Sequence, residues 1–157
     1  MIPSWLIIAV VASLTALAIN RLSPTDIQWF NRQRRPQWLT FEWAIPFIWM
    51  FIFICGGWSA YLVWETNPGS LSSWLLMGFY LLLEISILVY TPVMCKLQSL
   101  KLGTIVGAIG FVLGLILAIV VVKVSEQAFG LLLPYLLWSP IGTYVTWKMI
   151  DLNPGNA

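Results

Sequence analysis

Histidine is missing from this 157-residue chain, cysteine occurs twice, and only 9% of the residues are charged. A soluble domain carries about 25% charged residues because its surface must be solvated, so these side chains cannot build a water-facing shell. Without an imidazole, axial haem ligation of the globin kind is excluded. Cys55 and Cys95 both fall in apolar runs, where a free thiol is usually a small packing residue. No nucleophile with its base, no metal-ligating cluster and no phosphate-binding loop can be picked out, so no catalytic residue, metal site or obligatory cofactor is expected. Heptad arrays and low-complexity tracts are also lacking, which leaves one domain over residues 1–157. A net charge of +2 gives no reason to expect a nucleic-acid partner.

What the chain has in abundance is apolar sequence, 60% of its residues, gathered in five long runs. They extend from Pro3 to Ile19, Trp43 to Trp64, Leu71 to Cys95, Leu102 to Val122 and Ala128 to Trp147, with Glu84 as the one charge inside them. A helix rising about 1.5 Å per residue needs about 20 residues to cross some 30 Å of hydrocarbon. A β-barrel would show segments of about ten alternating residues instead. The reading is an all-α integral membrane protein, a five-transmembrane-helix bundle surrounded by lipid. No Lys or Arg precedes the first run, so it is taken as a span and not as a cleaved secretory signal. Pro134 and Pro140 are predicted to bend the fifth helix, which a bundle tolerates when neighbours satisfy the freed carbonyls.

Alternating the ends between two sides puts Arg21, Arg32, Arg34, Arg35, Lys96, Lys101 and Lys148 on one side and Lys123 on the other. Positive charge favours the cytoplasmic face, so the first loop and the C-terminus are predicted to be cytoplasmic and the N-terminus to lie outside. Three connections are short, which predicts antiparallel neighbours. The first, Asn20 to Glu42, runs for 23 residues, and loops of that length in compact domains are usually functional or disordered. With Trp29, Phe30 and Trp38 among its arginines, it is expected to lie on the membrane surface or cover the bundle. The tail from Asp151 onward reads as a helix stop and a short loose end.

Ten tryptophans stand out. An interfacial belt, where an apolar ring and a polar N–H are both satisfied, accounts for Trp5, Trp29, Trp38, Trp43, Trp64, Trp74 and Trp147. Trp49, Trp58 and Trp138 lie deeper. Tyr135, Trp138 and Gly142 share one face of the fifth helix, and Trp49, Phe53 and Ala60 one face of the second. Two readings are open: a slot for a flat ligand, or rings packing helix to helix. In the fourth helix Gly103, Gly107, Gly110, Gly114 and Ala118 form a small-residue stripe that allows close helix approach, within the bundle or between protomers, the first being favoured.

Glu84 lies 13 residues from one end of its run and 11 from the other, near the bilayer midplane, where an ionised carboxylate costs several kcal/mol. No Lys or Arg sits at comparable depth, so the neutral acid is the expected form, able to donate one hydrogen bond and accept others. Tyr80, Ile87 and Thr91 share its face. Either it makes an interhelical hydrogen bond, worth about 0.6–2 kcal/mol, or it contacts a polar atom of a ligand.

These residues resemble the translocator protein family, also called the tryptophan-rich sensory protein or TspO/MBR family, over nearly the whole chain. The resemblance is carried by Trp29-Phe30, Arg35-Pro36, Trp43 and Trp49, Tyr90-Thr91, Pro134-Tyr135-Leu136-Leu137-Trp138, Thr143-Tyr144 and Leu152-Asn153. It implies a five-helix bundle, commonly dimeric, that binds porphyrins or similar flat apolar ligands in a cavity roofed by the first loop. Carried onto matching positions, the pocket would take Trp38, Trp49, Phe53, Ile87, Tyr90, Tyr135, Trp138 and Gly142, with Glu84 added from its position in the membrane. The sequence departs from the family at Thr40-Phe41, where a Pro-Pro pair is usual, at Ile87 and Thr146, where asparagines are, and at Tyr90, where a tryptophan is.

The leading expectation is a membrane receptor or carrier for tetrapyrroles, with a porphyrin as its potential guest and a homodimer or another membrane protein as its partner. The alternative is a structural or regulatory subunit that has lost the pocket and docks through the glycine stripe. A light- or oxygen-dependent breakdown of porphyrin, which the resemblance also raises, is not favoured, and the chain is expected not to be an enzyme.

Overall fold

The computed structural model describes residues 2–156, which form six α-helices and no strand among the described residues. They are α1 (Ser4–Ile19), α2 (Pro24–Arg32), α3 (Ile45–Thr66), α4 (Leu71–Lys96), α5 (Leu100–Val121) and α6 (Glu126–Leu152). Short 3-10 turns, Glu42–Ala44 and Pro154–Asn156, precede α3 and follow α6. The helices α3 to α6 are each long and apolar enough to cross a bilayer. The 16 residues of α1 rise only about 24 Å; α1 brings the number to five when taken with α2, from which it is bent by 82°.

Polar caps move the helix starts beyond the apolar runs. Ser70, Ser99 and Ser125 each accept a hydrogen bond from the backbone N–H three residues on, at 3.1–3.3 Å, satisfying a donor that a helix N-terminus leaves free. So α5 begins at Leu100 and α6 at Glu126, each two residues before the apolar run does. Pro134 and Pro140 lie inside α6, which continues to Leu152, and Pro92 lies inside α4.

The long first loop is not irregular. Ser23-Pro24-Thr25-Asp26 opens α2 with a capping box: the Ser23 N–H donates to Asp26 Oδ2 at 2.9 Å and the Asp26 N–H to Ser23 Oγ at 3.2 Å. The Ser23 backbone N–H, followed by its hydroxyl, holds the Asp26 carboxyl below its ordinary range.

Packing runs round the bundle: α5 against α4 and α6, α6 against α3, and α1 resting on α3 and α4. α3 packs more on α6 than on its chain neighbour α4. The glycine stripe faces inward. A Cβ added at Gly103 would meet Met94 of α4, one at Gly107 would meet Thr143 of α6 and Tyr90 of α4, and one at Gly110 would come 3.1 Å from the Tyr135 hydroxyl. At Gly114 it would run into the Tyr135 ring. The stripe is therefore spent within the chain and is not a free docking face for another protein. Two clusters fill the interior, one around Ile52, Leu83, Leu117 and Tyr135, the other around Trp29, Leu39, Met94 and Met149, where the first loop joins the ends of α4 and α6.

Since the Tyr135 ring occupies the space over Gly114, Gly114→Leu overpacks this contact and is expected to destabilise the bundle by about 1–3 kcal/mol. Gly130→Ala, where an added Cβ meets nothing within 4 Å, is expected to be neutral or stabilising by up to about 1 kcal/mol. Denaturation midpoints in detergent micelles check both.

Candidate functional site

On the loop side, the first loop is tied to the C-terminus. The Arg34 N–H donates to Asn153 Oδ1 at 2.9 Å, and Asn153 Nδ2 donates back to the Arg34 carbonyl at 3.0 Å and to the Met149 carbonyl at 2.8 Å. Trp29 Nε1 donates to Asn156 Oδ1, and Asn156 Nδ2 to Gln33 Oε1, both at 3.2 Å. The tail expected to hang loose is thus a latch. Trp29, assigned to the interfacial belt, is only 9% exposed. Arg35 ties the loop to itself: Nη1 donates to the carbonyls of Phe30 and Gln33 at 2.7 and 2.5 Å, Nε pairs with Glu42 at 3.2 Å, and the guanidinium lies 4.4 Å from the Phe30 ring.

Under this loop the candidate residues pack against one another and against the loop. Trp38 lies on Tyr144 with centroids 6.1 Å apart, and Phe41 meets Trp138 edge-on at 6.4 Å. Trp138 Nε1 is buried without an acceptor among the described residues, and Gly142 leaves room beside it, since an added Cβ would stand 4.0 Å from that nitrogen. Tyr90 and Thr146 share a hydrogen bond between their hydroxyls, joining α4 to α6. Two departures from the family pattern therefore satisfy each other, which the separate positions in the sequence do not reveal.

Open space lies in the opposite half of the bundle. A cavity of about 480 Å³ is bordered by the N-terminal half of α1, the C-terminal half of α3, and α4 and α6 where they leave that end. Its lining includes Phe53, Ala60, Gly78, Glu84, Ile87 and Tyr135, and its volume falls in the range of about 300–1,000 Å³ usual for small-molecule sites. Side chains added at Gly56 and Gly78 would meet nothing within 4 Å, so these glycines face void and serve no helix contact. The nine candidates thus divide. Phe53, Glu84, Ile87 and Tyr135 line this cavity, Trp38, Tyr90, Trp138 and Gly142 do not, and Trp49 stands between, 6.0 Å from the Phe53 ring and 6.5 Å from Tyr135. Beneath the first loop, Phe41 and Trp38 pack on Trp138 and Tyr144 of α6.

Glu84 is half-buried and its carboxyl has no protein hydrogen-bond partner among the described residues. Its neighbour Tyr80 is engaged elsewhere: its hydroxyl lies 2.6 Å from Ser59 Oγ, which donates to the Ala128 carbonyl at 2.7 Å. The Tyr135 hydroxyl is directed toward α5 at Gly110, leaving Glu84 as the acid facing the cavity. Sequence reasoning missed α1 as a wall, although its alternation of small and large residues, Ala9, Ala12, Ser13 and Ala16 among leucines and isoleucines, was the available signal. Among the described residues no group of His, Cys, Asp and Glu is arranged to hold a metal ion.

Apolar helices around a cavity that holds one carboxyl, with a latched loop at the other end of the bundle, define a multi-pass α-helical membrane protein. The chain belongs to the TspO/MBR family, which it matches over residues 4–152. It is 31% identical over 140 residues to the uncharacterized membrane protein YtaB of Bacillus subtilis strain 168, covering 87% of each chain. It is similar, too, to two proteins called tryptophan-rich protein TspO. One, from Bacillus cereus, is 26% identical over 134 residues, with 84% of this chain and 85% of the relative covered. The other, from Chlorobaculum tepidum, is 23% identical over 140 residues, with 86% of each covered.

The latch makes Asn153→Ala informative. Losing both Arg34 contacts, each worth about 1 kcal/mol, is expected to speed hydrogen exchange across residues 24–35 about tenfold or more while exchange in α4 to α6 stays unchanged.

Proposed function

We propose that this protein is a membrane receptor or carrier for tetrapyrroles or similarly flat, apolar ligands, which it takes up in the cavity between α1, α3, α4 and α6. The supporting observation is that cavity itself, about 480 Å³ with aromatic rings on its wall and the Glu84 carboxyl as its acid. Phe53 and the Tyr135 ring offer faces for a macrocycle to lie against, and Glu84 a hydrogen bond to its edge. Trp49 backs both rings, and the loop-side group of Trp38, Tyr90, Trp138 and Gly142 holds the far end of the bundle rigid. In this reading the protein binds and releases its ligand unchanged. We place the first loop and the C-terminus in the cytoplasm, following the lysine and arginine bias, and a homodimer as the assembled form.

Titration of the detergent-solubilised protein with protoporphyrin IX is expected to quench tryptophan fluorescence saturably at micromolar concentration. Gly78→Leu fills the cavity and is expected to weaken binding about tenfold or more, a loss of about 1.4 kcal/mol. Glu84→Gln is expected to bind close to wild type and Glu84→Leu more weakly. No saturable quenching by the wild type, or a Gly78→Leu protein that binds as well, overturns the reading.

A further inference from the structure

A second, larger space of about 790 Å³ opens on the side of the bundle between α1 and α3. Ala9, Ala12 and Ser13 of α1 and Gly57 of α3 leave the gap, Trp5, Trp58 and Tyr61 flank it, and Glu84 of α4 forms its floor. Phe53, Gly57 and Glu84 also line the inner cavity, so the two spaces meet at the carboxyl. The groove faces lipid: Trp5 and Trp58 are 55% and 58% exposed, and α1 has no buried residue to wedge it against α3. Trp58 meets Tyr61 edge-on with centroids 6.1 Å apart, forming an aromatic corner. Trp58, one of the three tryptophans read as lying deeper than the interfacial belt, stands on this lateral wall.

We propose that this groove is a binding site for a lipophilic monovalent cation, such as a hydrophobic ammonium or phosphonium, with Glu84 as its counter-charge. No Lys, Arg, Asp or second Glu lines either space, so the Glu84 carboxyl has no basic partner and stays protonated until an arriving cation favours the carboxylate, its proton then leaving to water. A buried charge is tolerated when paired. A ligand that brings both the positive charge and its own apolar body provides that pairing without a basic side chain having to be desolvated. The walls are suited to the same guest, because the faces of Trp and Tyr attract a cation by about 0.5–2 kcal/mol and the remaining lining is apolar. An uncharged amphiphile gains the apolar contact but neither of the two electrostatic ones. This site goes beyond the tetrapyrrole reading and does not rest on it: the macrocycle would use the inner walls and the cation the outer ones, the two meeting at Phe53, Gly57 and Glu84.

The test uses the full-length protein in nanodiscs of zwitterionic phosphatidylcholine, with radiolabelled tetraphenylphosphonium measured by equilibrium dialysis. Saturable binding by the wild type is expected, at least about tenfold weaker in Glu84→Gln and about three- to tenfold weaker in Trp58→Ala. Gly78→Leu, which fills only the inner cavity, is expected to bind the cation as wild type does even if porphyrin binding is lost. Trp58 is largely exposed, so its variant keeps the test decisive should Glu84→Gln fail to fold. Absence of saturable binding by the wild type, cation affinity unchanged in both Glu84→Gln and Trp58→Ala, or equal displacement by an uncharged triaryl compound overturns the proposal. Porphyrin quenching measured on the same preparations fails or succeeds separately.

Discussion

Everything in this bundle follows from how closely α5 approaches α4 and α6. Without water between lipid-embedded helices there is little hydrophobic drive to bring them together, so association depends on contact area and on polar groups meeting across helices. The glycines of α5 provide the contact by leaving room for Tyr135, Tyr90 and Thr143, and Tyr90 with Thr146 adds the hydrogen bond. On that side the helices are in close contact. The volume the sequence cannot fill is displaced to the other side, where α1 and the glycines of α3 and α4 face open space.

The two kinds of glycine in this protein illustrate the division. Gly103, Gly107, Gly110 and Gly114 would each drive a side chain into a neighbour, while Gly56, Gly57 and Gly78 would not touch one. The first set is there for packing. The second keeps a cavity and a groove open around Glu84, the single charge in the apolar core of the spans. Small residues in a membrane helix therefore carry opposite meanings according to what lies across from them, and only the partner surface distinguishes the two.

The first loop adds a rigid end to this arrangement. Its helix, its Arg35 contacts and its clasp with Asn153 and Asn156 bury Trp29 and hold Phe41 against Trp138. A loop so held acts as part of the core at that end, while the cavity lies toward the opposite end, away from the loop's arginines.

Much of this was legible in the chain of residues alone. The helical membrane fold, the span positions to within a few residues, the inward role favoured for the glycine stripe and the isolation of Glu84 all follow from local hydropathy and spacing, because a lipid solvent imposes its demand on each segment separately. Even α2 left a mark, in the capping box of Ser23 and Asp26 and the proline at the first helical position. What the tertiary structure alone decided was which candidates share a space. Phe53, Glu84, Ile87 and Tyr135 line one cavity, Trp38, Tyr90, Trp138 and Gly142 pack away from it, and Tyr90 and Thr146 satisfy each other across two helices. Helical periodicity gives the face on which a residue lies, but the partner opposite that face is set by the rotation and spacing of separate helices, and those depend on the packing of the whole bundle.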